Sequence, residues 1–479
     1  MNTDSKKLTA LQKALELNLD NHTYGTIAEV GAGQEVARNF FQSGGASGTV
    51  AKTISAYDMQ VSDAIYGKDV TGRYVTRTRL TSMLDKEFDL LVKRVADIRP
   101  PETQFFTFAD TVAAKAYKSE KLCQGWMGMK LQTEPKAEPS NIILHVSLLD
   151  STNLGQQSAL GILGVNLIYA AFHFKDNPDM LIDSLFDNLT WGRIELDYIE
   201  FSGPGFEGID NRKMMLRLVQ SSLTPIVMFG QDGNGILPQD VLHNKDLLIL
   251  RGLFRPFTNI HRDMINYGLE GFSAEQKRPL EEIAFFCEMN IAKFVATGED
   301  DITDLLTRVE MLTQQGYNVM ISSHFRYFRI SEYFARDKSR KIGFVLSVEN
   351  IYQIFDESYY EGFKGGILAA MGALFANNTK LFVYPNLLED GTLTTVANIK
   401  IKEELRYLFL HISKNRGILP IHCSPDIIVP VDDMTLLQQM SKGDESWKKS
   451  VPEDIEKRII EEKLFGFNTG KSSNSIPNT

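Results

Sequence analysis

From about residue 141 to residue 421, short β-rich apolar runs alternate with stretches of helical periodicity. The run 194–202 is followed by a helical stretch over 211–222, and 246–251 by one over 259–270. The same pairing recurs at 317–322 with 327–337, at 341–346 with 349–358, and at 380–384 with 402–415, before a last run at 417–421. A strand that leads through a helix to the next strand returns as a parallel neighbour, because the crossover carries the chain back to its starting end. The expected fold class is therefore α/β: a mostly parallel β-sheet with helices on both faces, preceded by a mainly helical N-terminal segment.

The chain divides on this basis into three parts. Residues 1–118 read as a mainly helical segment. It opens with Leu8, Leu11, Leu15 and Leu19 at helical spacing and holds one glycine-rich strand–turn–helix, Thr26 to Phe41. Helices are expected over 51–65 and 77–98, the latter stopped by Pro100 and Pro101. Residues 119–440 form the α/β core, in which 279–295 also reads as a helix. Residues 441–479 read as a linker at 442–446, a charged amphipathic helix from Pro452 to Phe465, and a polar disordered tail.

A formal net charge of −10 over 479 residues argues against general nucleic-acid binding, which needs a basic surface to displace counterions. Three scattered cysteines, Cys123, Cys287 and Cys423, make no disulfide framework and point to a reducing compartment. The first twenty residues lack an apolar signal core, and no apolar run is long enough to span a bilayer, so a cytoplasmic location without membrane contact is expected.

Ligands of parallel sheets sit outside the carboxyl ends of the strands. Those ends offer Glu29, Gly31 and Gly33; then Glu200, Ser202, Gly203, Gly205, Asp210 and Asn211; then Arg251 and Arg255; and Ser322, Ser323, His324 and Arg326. Later ends add Ser347, Glu349, Tyr384 and Asn386. If these ends meet on one edge, Arg251 and Arg255 would grip a phosphate or carboxylate bidentately. The glycines would let backbone N–H groups approach the anion. Glu200 and Asp210 would act as acid/base groups, or would hold a magnesium ion, which needs only one or two carboxylates beside a phosphate. The expected ligand is a nucleotide or phosphorylated metabolite, and the cofactor is otherwise unknown. Each of these residues has a plainer role as well: turn, helix cap or salt bridge. Ser-Gly-Pro-Gly at 202–205 is a competent turn without any ligand. The alternative expectation is a non-catalytic assembly protein whose C-terminal helix and tail bind a protein partner.

Common signatures are missing. Val36 stands where G-x-G-x-x-G needs its third glycine, and no phosphate loop of the G-x-x-x-x-G-K-[ST] type occurs. There is no G-x-S-x-G elbow and no H-E-x-x-H pair.

The stretches AEVGAGQEVARNFF, GGASGTVAKTISAYDM, NLGQQSALGILGVNLIYAAF, IELDYIEFSGPGF and GGILAAMGALF together resemble a family of bacterial cytosolic proteins, over about residues 20–440. Its members carry two labels, nicotinate-nucleotide adenylyltransferase and TonB-dependent receptor. The receptor label conflicts with the chain, which has neither a signal segment nor alternating barrel strands. The adenylyltransferase label implies nucleotidyl transfer. It also implies an H-x-G-H pair and a motif near I-S-S-T-x-x-R. No two of the eight histidines are three apart, and Ile321-Ser322-Ser323-His324-Phe325-Arg326 lacks the threonine and places arginine one position early.

Overall fold

A computed structural model describes residues 7–31, 33–69, 71–113, 115, 123–291, 299–336, 340–388, 390–423 and 433–467. The chain forms two compact units, residues 1–227 and 228–479. The boundary expected at 118 falls instead inside the first unit, between two strands that pair with each other.

The first unit holds a six-stranded sheet: β1 (Thr23–Gly31), β2 (Val50–Ala56), β3 (Gln104–Ala113), β4 (Cys123–Leu131), β5 (Ser140–Leu148) and β6 (Ile194–Ser202), in the order β2-β1-β3-β4-β5-β6. It is mixed. β2, β1 and β3 are parallel, whereas each later strand runs antiparallel to the one before it. The helices are α1 (Ala10–Leu19), α2 (Glu35–Ser43), α3 (Met59–Tyr66), α4 (Arg77–Val95), α5 (Asn153–His173), α6 (Pro178–Ser184) and α7 (Asn211–Gln220). α5 packs on the face carrying Phe106 and Phe108, where Gly164 lets it come close to Phe108 and Val36. On the other face Phe88 and Leu91 of α4 form a cluster with Phe105.

Two expectations fail here. Residues 51–65 were expected as one helix, but β2 fills Val50–Ala56 and only Met59–Tyr66 is helical. Pairing with β1 decides the matter: β2 supplies the edge that β1 needs. The leucine stripe of α1 faces outward, with Leu11, Leu15 and Leu19 exposed. The buried face instead centres on Lys13, whose ammonium donates to Asn166 Oδ1 (2.9 Å) and Asp187 Oδ2 (2.8 Å). A satisfied charge network thus overrides apolar spacing.

In the second unit β7 (Ile226–Phe229), β8 (Gly235–Ile236), β9 (Asp246–Arg251), β10 (Ile283–Asn290), β11 (Asn318–Ser322), β12 (Ile342–Leu346), β13 (Lys380–Val383) and β16 (Ile418–Pro420) form one sheet. β14 (Asn386–Leu387) and β15 (Leu393–Thr394) make a small separate hairpin. The order is β16-β13-β12-β9-β10-β11-β7-β8, and the six strands from β16 to β11 are all parallel. Numbered by first appearance among those six, they read 6-5-4-1-2-3. The helices are α8 (Pro238–Val241), α9 (Asn259–Gln276), α10 (Glu299–Gln314), α11 (Tyr327–Phe334), α12 (Val348–Ile354), α13 (Gly366–Phe375), α14 (Arg406–Lys414), α15 (Asp433–Lys442) and α16 (Glu453–Glu462). They cover both faces. Gly268 of α9 packs on Val345 of β12, and Tyr327 of α11 meets Phe344, which points the other way. The α/β class expected from the sequence is present in both units; a mostly parallel sheet describes the second, and a mixed sheet the first.

The largest miss is β10, which lies within the stretch 279–295 expected as helix. It sits between β9 and β11, and Ile283 to Met289 are all buried. A strand buried on both faces has no alternation, so its apolar run mimics a buried helix. The segment after 441 is also no linker. Trp447, in a short 3-10 helix at Glu445–Ser450, is 1% exposed, and α16 buries Ile455 and Ile459. Arg458 of α16 donates to Glu310 Oε2 (2.8 Å) and Gln314 Oε1 (2.9 Å) of α10. One face of α16 therefore packs on α10 within the unit. The tail expected at 468–479 lies outside the described residues. No helix among the described residues is long and apolar enough to cross a membrane.

Candidate functional site

The strand ends gathered by the sequence do not share one edge. Glu29, Gly31, Gly33, Glu200, Ser202, Gly203, Gly205, Asp210 and Asn211 belong to the first sheet and its turns, whereas Arg251, Arg255, Ser322, Ser323, His324 and Arg326 belong to the second unit. Within the first sheet, three antiparallel pairings make β6 run opposite to β1. The end of β6 therefore lies on the same edge of the sheet as the start of β1, with three strands between them, and opposite to the edge of Gly31.

Each first-unit candidate has a structural task. Glu29 Oε1 accepts from Val36 N (3.0 Å) and Oε2 from Ala37 N (3.2 Å). These are free N–H groups of the first turn of α2, so the protein's own carboxylate occupies the position where a phosphate would sit. Gly31 has φ +83° and packs against the Val112 carbonyl, and a Cβ at Gly33 would overlap the Asp110 carboxyl. Glu200 is held by Arg77 Nη2 (2.5 Å) and by the Tyr198 hydroxyl (2.5 Å). Asp210 caps α7 and pairs with Arg212, which holds its carboxyl below the usual range. The two carboxylates assigned to acid/base work or to magnesium thus serve separate arginines. Among the described residues no group of three or more His, Cys, Asp or Glu is placed to hold a metal.

Asn211 clamps β6 by donating to Phe201 O (3.0 Å) and accepting from Phe201 N (2.8 Å). Half-buried Ser202 ends β6, and Gly205 N donates to Ser140 Oγ (2.8 Å). Gly203 has φ +94°, and a Cβ there would lie 2.7 Å from Ser140 Cα. Ser-Gly-Pro-Gly is a turn docked on β5. Gly203→Ala should therefore cost about 1–3 kcal/mol in a urea titration, through strain and backbone overlap; a loss under a few tenths would contradict this packing.

In the second unit Arg251 ends β9 in register with Glu288 of β10. Its Nε donates to Glu288 Oε2 (2.5 Å) and its Nη2 to Oε1 (3.1 Å). Nη1 also donates to Phe325 O (2.5 Å) and Nη2 to His324 O (2.7 Å), and the guanidinium lies 4.6 Å over the Tyr327 ring. Ser322 Oγ donates to Glu288 Oε1 (2.5 Å). Glu288 is wholly buried. Arg251 is thus a staple across β9, β10 and the turn after β11, and its fork is filled by protein acceptors.

The other arginines are placed likewise. Arg255 lies 3.3 Å from Asp304, which also pairs with Arg308 (2.8 Å). Arg326 donates to the carbonyls of Tyr359 (2.9 Å) and Glu361 (3.3 Å). Half-buried Ser323 follows β11. Burial, and then Arg329, Arg251 and Arg336, push His324 down to about 4, so its ring is neutral at pH 7. The joint bidentate grip expected of Arg251 and Arg255 finds Arg251 filled by Glu288 and two carbonyls and Arg255 set against Asp304. Glu288, the residue that organises this cluster, was missed because its strand read as a helix. The usable signal was the β-rich content of 283–289, following Pro279.

What the second sheet does provide is a reversal of strand order. The order 6-5-4-1-2-3 is that of doubly wound dinucleotide-binding folds, and ligands of such sheets bind where the strand order reverses. Here that point lies between the carboxyl ends of β9 and β12. On the β12 side Ser347 caps α12, and Glu349 Oε1 accepts from Asn386 Nδ2 (2.5 Å) beyond β13. Ser347 and Asn386 are half-buried and Glu349 is exposed. Tyr384 is buried beside Cys423, with Asp263 and Tyr267 of α9 also acting on it.

No protein-family model and no curated protein matches the chain. Among solved structures, it is similar to the competence/damage inducible protein CihA from Agrobacterium tumefaciens at 16% identity and a TM-score of 0.26. The match covers 34% of this chain and 94% of that one. A competence-damaged protein (CinA) superfamily protein from Klebsiella pneumoniae matches at 7% identity and a TM-score of 0.27, over 34% of this chain and 96% of that one. One from Escherichia coli matches at 12% and 0.25, over 35% and 98%. Likenesses at this level say nothing about chemistry, and the site rests on its own geometry.

Proposed function

We propose that the second unit binds a nucleotide or a phosphorylated metabolite over the carboxyl ends of β9 and β12. The observation that carries this reading is the strand order β16-β13-β12-β9-β10-β11, with its reversal at β9 and β12. The arginines being spent on the protein, the polar contacts fall to Ser347, Glu349 and Asn386. A carboxylate with a neighbouring amide and hydroxyl suits the hydroxyls of a sugar better than a bare anion. Nucleotidyl transfer is the enzymatic form of this reading.

The test is a thermal-shift screen of the full chain with nucleoside mono- and triphosphates, nicotinate mononucleotide and sugar phosphates. A ligand present at about a hundred times its Kd should stabilise the folded state by about 2.7 kcal/mol. Glu349→Gln should reduce that shift with little change in the ligand-free melting temperature, since the side chain is exposed and the amide oxygen can still accept from Asn386. No shift with any of these ligands would overturn the proposal.

A further inference from the structure

Glu29 of β1 and Asp110 of β3 are register partners in neighbouring parallel strands, on the face covered by α2 and α5. Asp110 is 0% exposed and Glu29 3%. Their surroundings differ. Glu29 accepts two N–H groups from the start of α2. Asp110 has no such pair of donors among the described residues: the Val30 N–H acts on it, and its carboxyl lies directly under the backbone of Gly33. An ionised carboxylate is costly in such a place beside a second carboxyl, so burial and the charge of Glu29 favour the protonated form of Asp110. The same turn and helix start are thus held from two sides: Glu29 from the helix end and Asp110 from beneath.

Among the described residues, the groups around the pair add no compensating charge. Glu35, in the first turn of α2, is a further negative group acting on Glu29. Across the strands, β2 presents Ser55 to Glu29 and β4 presents Met127 to Asp110. From α5, Gly161 and Gly164 pack on Glu35 and Val36 of α2. Burial pushes Glu29 up to about 7, against the pull of the Val36 and Ala37 N–H groups. Burial pushes Asp110 well above the ordinary range, the charge of Glu29 adds to it, and the Val30 N–H opposes it.

We propose that Gly33, Gln34 and the start of α2 form a pH-sensitive latch, closed over the buried Glu29–Asp110 pair and loosened as that pair gains negative charge. The sign follows from linkage. The folded state holds protons that the open state releases, so closure is fully favourable below the ordinary carboxyl range. It is lost progressively as pH rises through about 7 and above.

The experiment is hydrogen exchange of the full chain, followed by mass spectrometry on peptides covering 33–43, from pH 5.5 to 8.5, with rates corrected for the intrinsic pH dependence. The opening equilibrium of this segment should increase with pH, by up to about tenfold per pH unit for each proton released. Peptides of α4 should not change. In Asp110→Asn the dependence should flatten, because the neutral amide keeps the shape without the titration. A profile of Asp110→Asn that tracks the parent would overturn the latch. Should that variant fail to fold, Glu29→Gln serves: it must also flatten the profile, and an unchanged slope would equally count against the proposal. A parent profile that is flat over the whole range would do so as well.

Discussion

Arg251→Ala should lower the unfolding free energy of the second unit by about 3–5 kcal/mol, because it leaves the wholly buried Glu288 charged and unpaired. The guanidinium makes four hydrogen bonds that join β9 to β10 and to the turn after β11. Arg251→Lys should recover only part of the loss, since a point charge cannot serve a carboxylate and two carbonyls in one plane. A double replacement, Arg251→Met with Glu288→Leu, should restore most of the stability, as apolar side chains remove both desolvated charges together. Urea unfolding followed by tryptophan fluorescence and circular dichroism reads all three. If Arg251→Ala costs less than about 1 kcal/mol but abolishes the ligand shift, the arginine faces a ligand instead, and the staple is wrong.

Trp447→Ala should be the second large effect, at about 3–5 kcal/mol, the usual range for removing a buried aromatic side chain. Trp447 lies next to α15 and meets Phe467 at 5.9 Å between ring centroids. Removing residues 441–479 would strip this tryptophan together with α16, so the truncated chain should melt early or aggregate. A segment serving only as a partner-binding arm would be removable without loss. A truncated chain with the parent's melting temperature would therefore show that this segment is no part of the core and contradict the packing of Trp447.

The first prediction rests on residues that the sequence placed only in part. Arg251 was legible as a strand-end arginine, and so was its alternative as a salt-bridged residue. Its partner was not, because Glu288 lies in a strand whose apolar run has no period. Asp210 and Asn211 were visible as polar residues before a helix, and cap or clamp is what they became. Glu29 and Gly33 had the outline of an anion-binding turn. The detail that changes its meaning is Asp110, 81 positions away from Glu29 and its register partner on the neighbouring strand. No local pattern announces such a neighbour.

Taken alone, the sequence determined the α/β class, most helix and strand positions in the second half of the chain, and the turn at Gly203. These depend on short-range physics: periodicity, helix caps and the backbone freedom of glycine. Tertiary structure decided the division after Val227, the mixed direction of the first sheet and the 6-5-4-1-2-3 order of the second. It also decided which charge meets which. Strand order and charge pairing depend on contacts between residues far apart in the chain, and a buried charge takes whatever partner the assembled sheet brings within reach.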